Sequence, residues 1–155
     1  FYLTVYIVMT LGGFLIVLQM RDAAGEPVET IESMAGLSRN RPMLALAMAM
    51  FMFSLAGIPP LLGFNAKLAV FSAAVDAGLY PLAVIGFVAS VIGAYYYLRV
   101  IKVMYFDDPA PAYSGEANTV EGGLIAAAAV FVSPVGWLLL APLGVATLTA
   151  ANALF

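Results

Sequence analysis

SLAGIPPLLGFNAKLAVF, residues 54–71, decides how this chain is read. The stretch is nearly all apolar, yet it holds the adjacent prolines Pro59 and Pro60, the glycines Gly57 and Gly63, and one lysine, Lys67. A proline inside a helix removes a backbone hydrogen bond and clashes with the preceding turn, so two in a row between glycines are expected to open a helix for about one turn near 57–63. In lipid, carbonyls and amides freed in this way must be buried in protein or line a wet cavity.

The rest of the chain says that lipid is the setting. Of its 155 residues, 64% are hydrophobic and only 10% are charged, and the mean hydropathy is +1.03. That is too little charge to coat a water-soluble domain. Runs of about 20 apolar residues, the length that crosses a bilayer, recur along it. An integral membrane protein is expected. There is no cysteine and no histidine, which excludes disulfides, most zinc and haem sites, iron–sulfur ligation, and Cys or His nucleophiles. The net charge of −3 sits in loops. The chain opens on Phe1 inside an apolar run with no signal peptide visible, so a fragment whose start is missing is expected.

The expected fold is all-α: a single transmembrane domain over 1–155, a polytopic bundle of four spans, one of them discontinuous. The spans are about 1–20, 43–75 with its break near 57–63, 82–106, and 121–143 with Pro134 inside. The first loop, 21–42, is expected to hold a short amphipathic helix on Val28, Ile31, Met34 and Ala35, with Pro27 in its first turn. Arg21, Arg39 and Arg41 lie in that loop, and Arg99 and Lys102 end the third span, whereas the linker 76–81 has no basic residue. By the positive-inside rule, loops 21–42 and 107–120 are cytoplasmic.

Lys67 lies nine residues before Asp76, where its span should meet water. That is about 13 Å of helix, close to half of a hydrocarbon core of about 30 Å. A charge there costs about 3 kcal/mol on insertion scales, and a four-carbon stem is poorly placed to snorkel out. Water, a counter-ion or loss of the proton must relieve the cost. Its neighbours at helical spacing, Gly63, Phe64, Val70 and Phe71, are not acidic, and every carboxylate of the chain lies in a loop or at a span end. A lysine that handles protons is therefore expected, against the alternative of a lysine that only ties helices together.

Smaller features join it. Tyr95, Tyr96 and Tyr97 are consecutive and point in different directions round their helix, so one can face a wet interior and join a water chain. Ser54 can hydrogen-bond freed backbone near the break. Gly86, Ser90 and Ala94 recur every four residues, a small-residue face for close helix contact.

Read together, SLAGIPPLLGFNAKLAVF resembles the broken-helix signature of the antiporter-like membrane subunits of respiratory complex I, with Ser54, Leu55, Gly57, Pro59, Pro60, Gly63, Phe64 and Lys67 matching. YLTVYIVMTLGGF (2–14) resembles the family's preceding span, and ASVIGAYYYLRVIKVMYF (89–106) the following one, particularly in the subunit-N branch. The M-type branch usually has glutamate at the position of Lys67, and the L-type follows its lysine with acidic residues where this chain has Leu68 and Ala69. The likeness covers about 1–106; the tail is similar only as a last apolar span.

The resemblance implies a membrane-arm subunit of proton-pumping NADH:quinone oxidoreductase in a bacterial inner membrane, with Lys67 as a proton-transfer residue. It implies neighbouring antiporter-like subunits and lipids as partners and no nucleic acid. It implies no cofactor or metal in this chain; NADH, FMN, iron–sulfur clusters and quinone belong to other subunits. The alternatives are a subunit of a multi-component Na+/H+ antiporter and a structural membrane subunit without its own proton path.

Overall fold

The computed structural model describes residues 1–21, 24–27, 30–110 and 119–153. Helix α1 runs Tyr2–Leu18. The first loop carries a 3-10 turn, Glu32–Met34, and a single helical turn, α2 (Leu37–Asn40). Then come α3 (Pro42–Ala56), α4 (Leu62–Asp76), α5 (Tyr80–Phe106) and α6 (Thr119–Val132), a 3-10 segment (Pro134–Leu139) and α7 (Leu140–Asn152). Among the described residues the only β feature is an isolated bridge between Arg21 and Pro27.

Helix α3 is the centre of the bundle and touches α1, α4, α5 and α6. Its Ala45, Met48 and Phe51 are fully buried, with Val5 and Ile16 of α1, Met104 of α5 and Val132 of α6 in the same cluster. The Phe51 ring lies on Gly12, so close that a Cβ at position 12 would overlap the ring edge. Lipid tails are as apolar as leucine and supply no hydrophobic force between helices, so close contact over small residues is what holds such a pair.

The outside of the bundle is apolar too. Leu3, Ile7, Leu11, Phe14 and Leu18 form an exposed stripe along α1, and α5 exposes Leu82, Ile85, Val88 and Ile92 in the same way. Helices that are apolar on every side are core helices or membrane helices, and these faces are not covered by core. Tyr80–Phe106 and Pro134–Asn152 are each long and apolar enough to cross a membrane, and Tyr2–Leu18, Pro42–Ala56 and Thr119–Val132 are shorter apolar helices.

One end of the bundle gathers both long loops. Arg99 pairs with Glu32 at 3.2 Å, the Ala110 amide donates to the Ala35 carbonyl at 3.0 Å, and Gln19 Nε2 donates to Glu121 at 3.1 Å. At the other end, α4 turns into α5 through Gly78 at φ 71°, where the Leu79 amide reaches back to the Ala74 carbonyl. Glycine is the residue that takes such a left-handed helix ending without strain.

Two expectations are corrected. The 21–42 loop does not form one amphipathic helix: Gly36, at φ 70°, splits it into the two short turns, and Pro27 sits in the bridge to Arg21. Pro109 packs against Gly36, and Met34, Ala35 and Leu37 turn inward onto the bundle, so tertiary contact overrides the local pattern. Val28 lies outside the described residues, as do 111–118 of the second loop. The last apolar segment is not one helix over 121–143. It stops at Val132, because Pro134 lacks an N–H and the Ser133 hydroxyl caps the next turn by accepting from the Val135 amide at 3.1 Å.

A methyl at Gly12 must push α1 off Phe51, and overpacking of this kind costs about 1–3 kcal/mol. Gly12→Ala is expected to lower the melting temperature of the purified protein in detergent. Gly122→Ala, with open space around its Cβ, is expected to leave it unchanged.

Candidate functional site

The chain between α3 and α4 is short, 57–61, and each helix end is finished by the other. Gly57 takes φ 85°; its amide donates to the Ser54 carbonyl and the Ile58 amide to the Phe53 carbonyl, both at 3.0 Å, which closes α3. Pro59 and Pro60 bring no N–H that would need a partner, and both are exposed. Helix α4 then starts at Leu62, so Gly63 lies within its first turn, inside the helix rather than in the gap. The reason is contact: a Cβ at Gly63 would overlap the Ser54 carbonyl, so the bare glycine lets the start of α4 lie against the end of α3. The buried Ser54 hydroxyl accepts the Gly63 amide at 3.0 Å and satisfies one of the unpaired donors of the new helix.

Lys67 completes the exchange in the other direction. Side chains on a helix lean toward its N-terminus, so the Lys67 stem points back at the gap and packs over Gly57, with Cδ 3.0 Å from where a Cβ would be. Its Nζ donates to the Ala56 carbonyl at 3.3 Å, at the negative end of α3. It also donates to the Ser90 hydroxyl of α5. Among the described residues it meets no carboxylate; the ion pairs there are Arg99–Glu32 and Lys102–Asp107, both at the loop end.

The half-buried Lys67 opens on a cavity of about 350 Å³, bounded by α1, α3, α4 and α5. Its polar lining is Lys67 and Ser90 with the tyrosines Tyr2, Tyr6 and Tyr97. On α5 the lining residues Gly86, Ser90, Gly93 and Tyr97 form one stripe at helical spacing. Of the three consecutive tyrosines only Tyr97 borders the cavity. Tyr95 and Tyr96 face outward, 65% and 57% exposed, with their rings edge to face. Tyr6 and Tyr97 also border a second, larger and more apolar cavity that reaches Thr30 and Met34 at the loop end.

Tyr2, Tyr6 and Ser90 are the site residues that sequence reasoning missed. The serine was visible as part of a small-residue stripe, and its spacing of seven to Tyr97 was the available signal. Among the described residues no group of three or more His, Cys, Asp or Glu side chains gathers where a metal ion could sit. What the arrangement offers chemically is a single amine, two backbone ends and a set of hydroxyls around a space far larger than the roughly 10–15 Å³ that one water needs.

Gly57→Ala places a side chain in the left-handed region, at a cost of about 1–2 kcal/mol, and presses a methyl on the Lys67 stem. The expected result is a lower melting temperature than for the wild-type protein, read by thermal denaturation in detergent.

The family described as NADH:quinone oxidoreductase/Mrp antiporter, TM, matches residues 1–93. NADH-quinone oxidoreductase subunit N of Rhizorhabdus wittichii is 57% identical over 155 residues, covering 99% of this chain and 32% of the relative. The same subunit of Sphingopyxis alaskensis is also 57% identical, with 99% and 33% covered. The chain thus spans about a third of the length of the curated relatives it matches. Respiratory complex I from Thermus thermophilus with bound aureothin contains a chain that superposes with a TM-score of 0.75 at 30% identity, over 84% of this chain and 30% of that one. The match over residues 1–93, more than half of the chain, leads to one conclusion: the chain belongs to the NADH:quinone oxidoreductase/Mrp antiporter membrane family.

Proposed function

We propose that this chain is part of a membrane-arm subunit of a proton-pumping NADH:quinone oxidoreductase, and that Lys67 transfers protons in it. The observation that carries the reading is the position of Nζ. It lies at the gap between two helices, held by a carbonyl and a hydroxyl, open to a polar-lined cavity and without a carboxylate among the described residues. An amine held in this way takes and gives up a proton according to the charge of sites beyond this chain, since coupled groups titrate together. The names of the relatives and the superposition with a complex I chain support the assignment to that complex.

In this reading α3, the gap and α4 make one discontinuous span, and α1, α5 and the segment from α6 onward make three more. Interrupted helices that place ionisable groups at mid-membrane are a recurring device of transporters. Loops 21–42 and 107–120 face the cytoplasm across a bacterial inner membrane; Arg21, Arg39, Arg41, Arg99 and Lys102 in or next to these loops support that orientation. The partners are the neighbouring membrane subunits of the complex and lipids. NADH, FMN, iron–sulfur clusters and quinone are handled by other subunits.

A second reading has its own observation. Lys67 links α4 to α3 and α5 through its two hydrogen bonds, which is what a purely structural lysine would do. Two substitutions in the full-length subunit separate the readings. Lys67→Met removes the amine. Lys67→Arg keeps a charged donor but cannot release its proton. Both are expected to assemble to normal levels and to abolish most NADH-driven acidification of inverted membrane vesicles. Normal pumping by Lys67→Arg, or failure of Lys67→Met to assemble, would establish the structural role instead. Co-purification with quinone-reducing partners distinguishes this complex from a multi-component Na+/H+ antiporter.

A further inference from the structure

Lys67 Nζ has two partners of different chemistry, on different helices. The Ala56 carbonyl only accepts. It stands at the end of α3, where the helix dipole favours a cation. The Ser90 hydroxyl of α5 accepts from Nζ and keeps its own O–H free to donate. An ammonium needs acceptors alone, and both partners serve it. A neutral amine also presents a lone pair, which the carbonyl cannot satisfy. Among the hydrogen-bond partners of Nζ within the described residues, only Ser90 carries a hydroxyl that can.

The surroundings of Ser90 keep that hydroxyl available. Gly86 and Gly93, one turn to either side on the same face of α5, put no side chain over it, and all three line the Lys67 cavity. A serine serving only close helix contact would need nothing from its oxygen. Here the oxygen is spent on the one amine of the site.

We propose that Ser90 is a positioning residue and proton relay for Lys67, holding the amine across the gap between α4 and α5 in both of its charge states. In the relay step an N–H bond of the ammonium breaks and a new O–H bond forms on Ser90. The original O–H bond of Ser90 breaks in concert, and its proton passes to a water in the cavity. Serine is neutral before and after, and one proton moves from Nζ to water. The step runs backward to recharge the amine. This inference rests on the reading of Lys67 as a proton-transfer residue.

The test uses crossed substitutions at position 90 in the full-length subunit within its complex. Ser90→Ala keeps a small side chain and loses the hydroxyl. Ser90→Cys keeps the size and replaces the hydroxyl by a much weaker donor and acceptor. Ser90→Thr keeps the hydroxyl and adds bulk. The readout is vesicle acidification per NADH oxidised, with assembly checked on native gels. A relay predicts that Ala and Cys lose at least half of what Lys67→Met loses, while Thr pumps like the wild type. A packing role predicts the reverse order, with Ala tolerated and Thr impaired, and that result overturns the proposal. Should Ser90→Ala fail to assemble, the Cys variant decides: wild-type pumping by it overturns the proposal and weak pumping supports it. If Lys67→Met itself pumps normally, the functional reading of the lysine has failed. If Lys67→Met is inactive while the Ala and Cys variants pump normally, only the role of Ser90 has failed.

Discussion

The contact between the end of α3 and the start of α4 is the constraint that the rest of the structure depends on. A helix interrupted within an apolar setting leaves donors at one end and acceptors at the other, each costly to leave unpaired. This chain resolves the difficulty by exchange. Ser54, from the finished helix, accepts an amide of the new one, and Lys67, from the new helix, donates to a carbonyl of the finished one. The two prolines between them remove donors rather than create them. An ionisable residue is thereby part of the structural solution, which explains how a lone lysine is accommodated without a carboxylate of its own among the described residues.

The same contact fixes how the other helices are arranged. Since α4 begins beside α3, Lys67 points toward α5, and the small residues along α5 leave space where a bulkier helix would have filled it. On the far side of α3, close packing takes over, with Phe51 seated on Gly12. One central helix therefore has a tight face toward α1 and a hollow near its C-terminal end. Tightness and space both come from glycines: Gly12 admits the ring of Phe51 and Gly86 the edge of Phe71, while Gly93 leaves part of the cavity unfilled.

Much of this was legible in the residues. Composition alone places the chain in a membrane, and Gly57, Pro59 and Pro60 mark where the helix must stop, because each acts through its own backbone. Lys67 stands out because it is the one charged residue between Met43 and Val75. The parts that were not legible depend on neighbours distant in sequence. Gly63 reads as a breaker, yet it is helical because Ser54 lies against it. The loop pattern of Ile31, Met34 and Ala35 reads as a helix, yet Gly36 and Pro109 bend it. Pro134 reads as lying inside a span, and the Ser133 cap shows that the helix ends before it. Ser90 reads as packing until the amine of another helix is found on it.

The short crossing at 57–61 has a consequence for how this segment can vary. Exposed loops ordinarily accept added or lost residues with little harm, and Ile58, Pro59 and Pro60 are exposed. Here both ends of the crossing are pinned, by Ser54 to Gly63 and by Lys67 to Ala56. A residue fewer would shorten the reach of the chain by up to about 3.5 Å and pull against both contacts, whereas an added one could bulge outward from the exposed tip. The crossing is a strap with a minimum length, set by the two hydrogen bonds that it has to bridge.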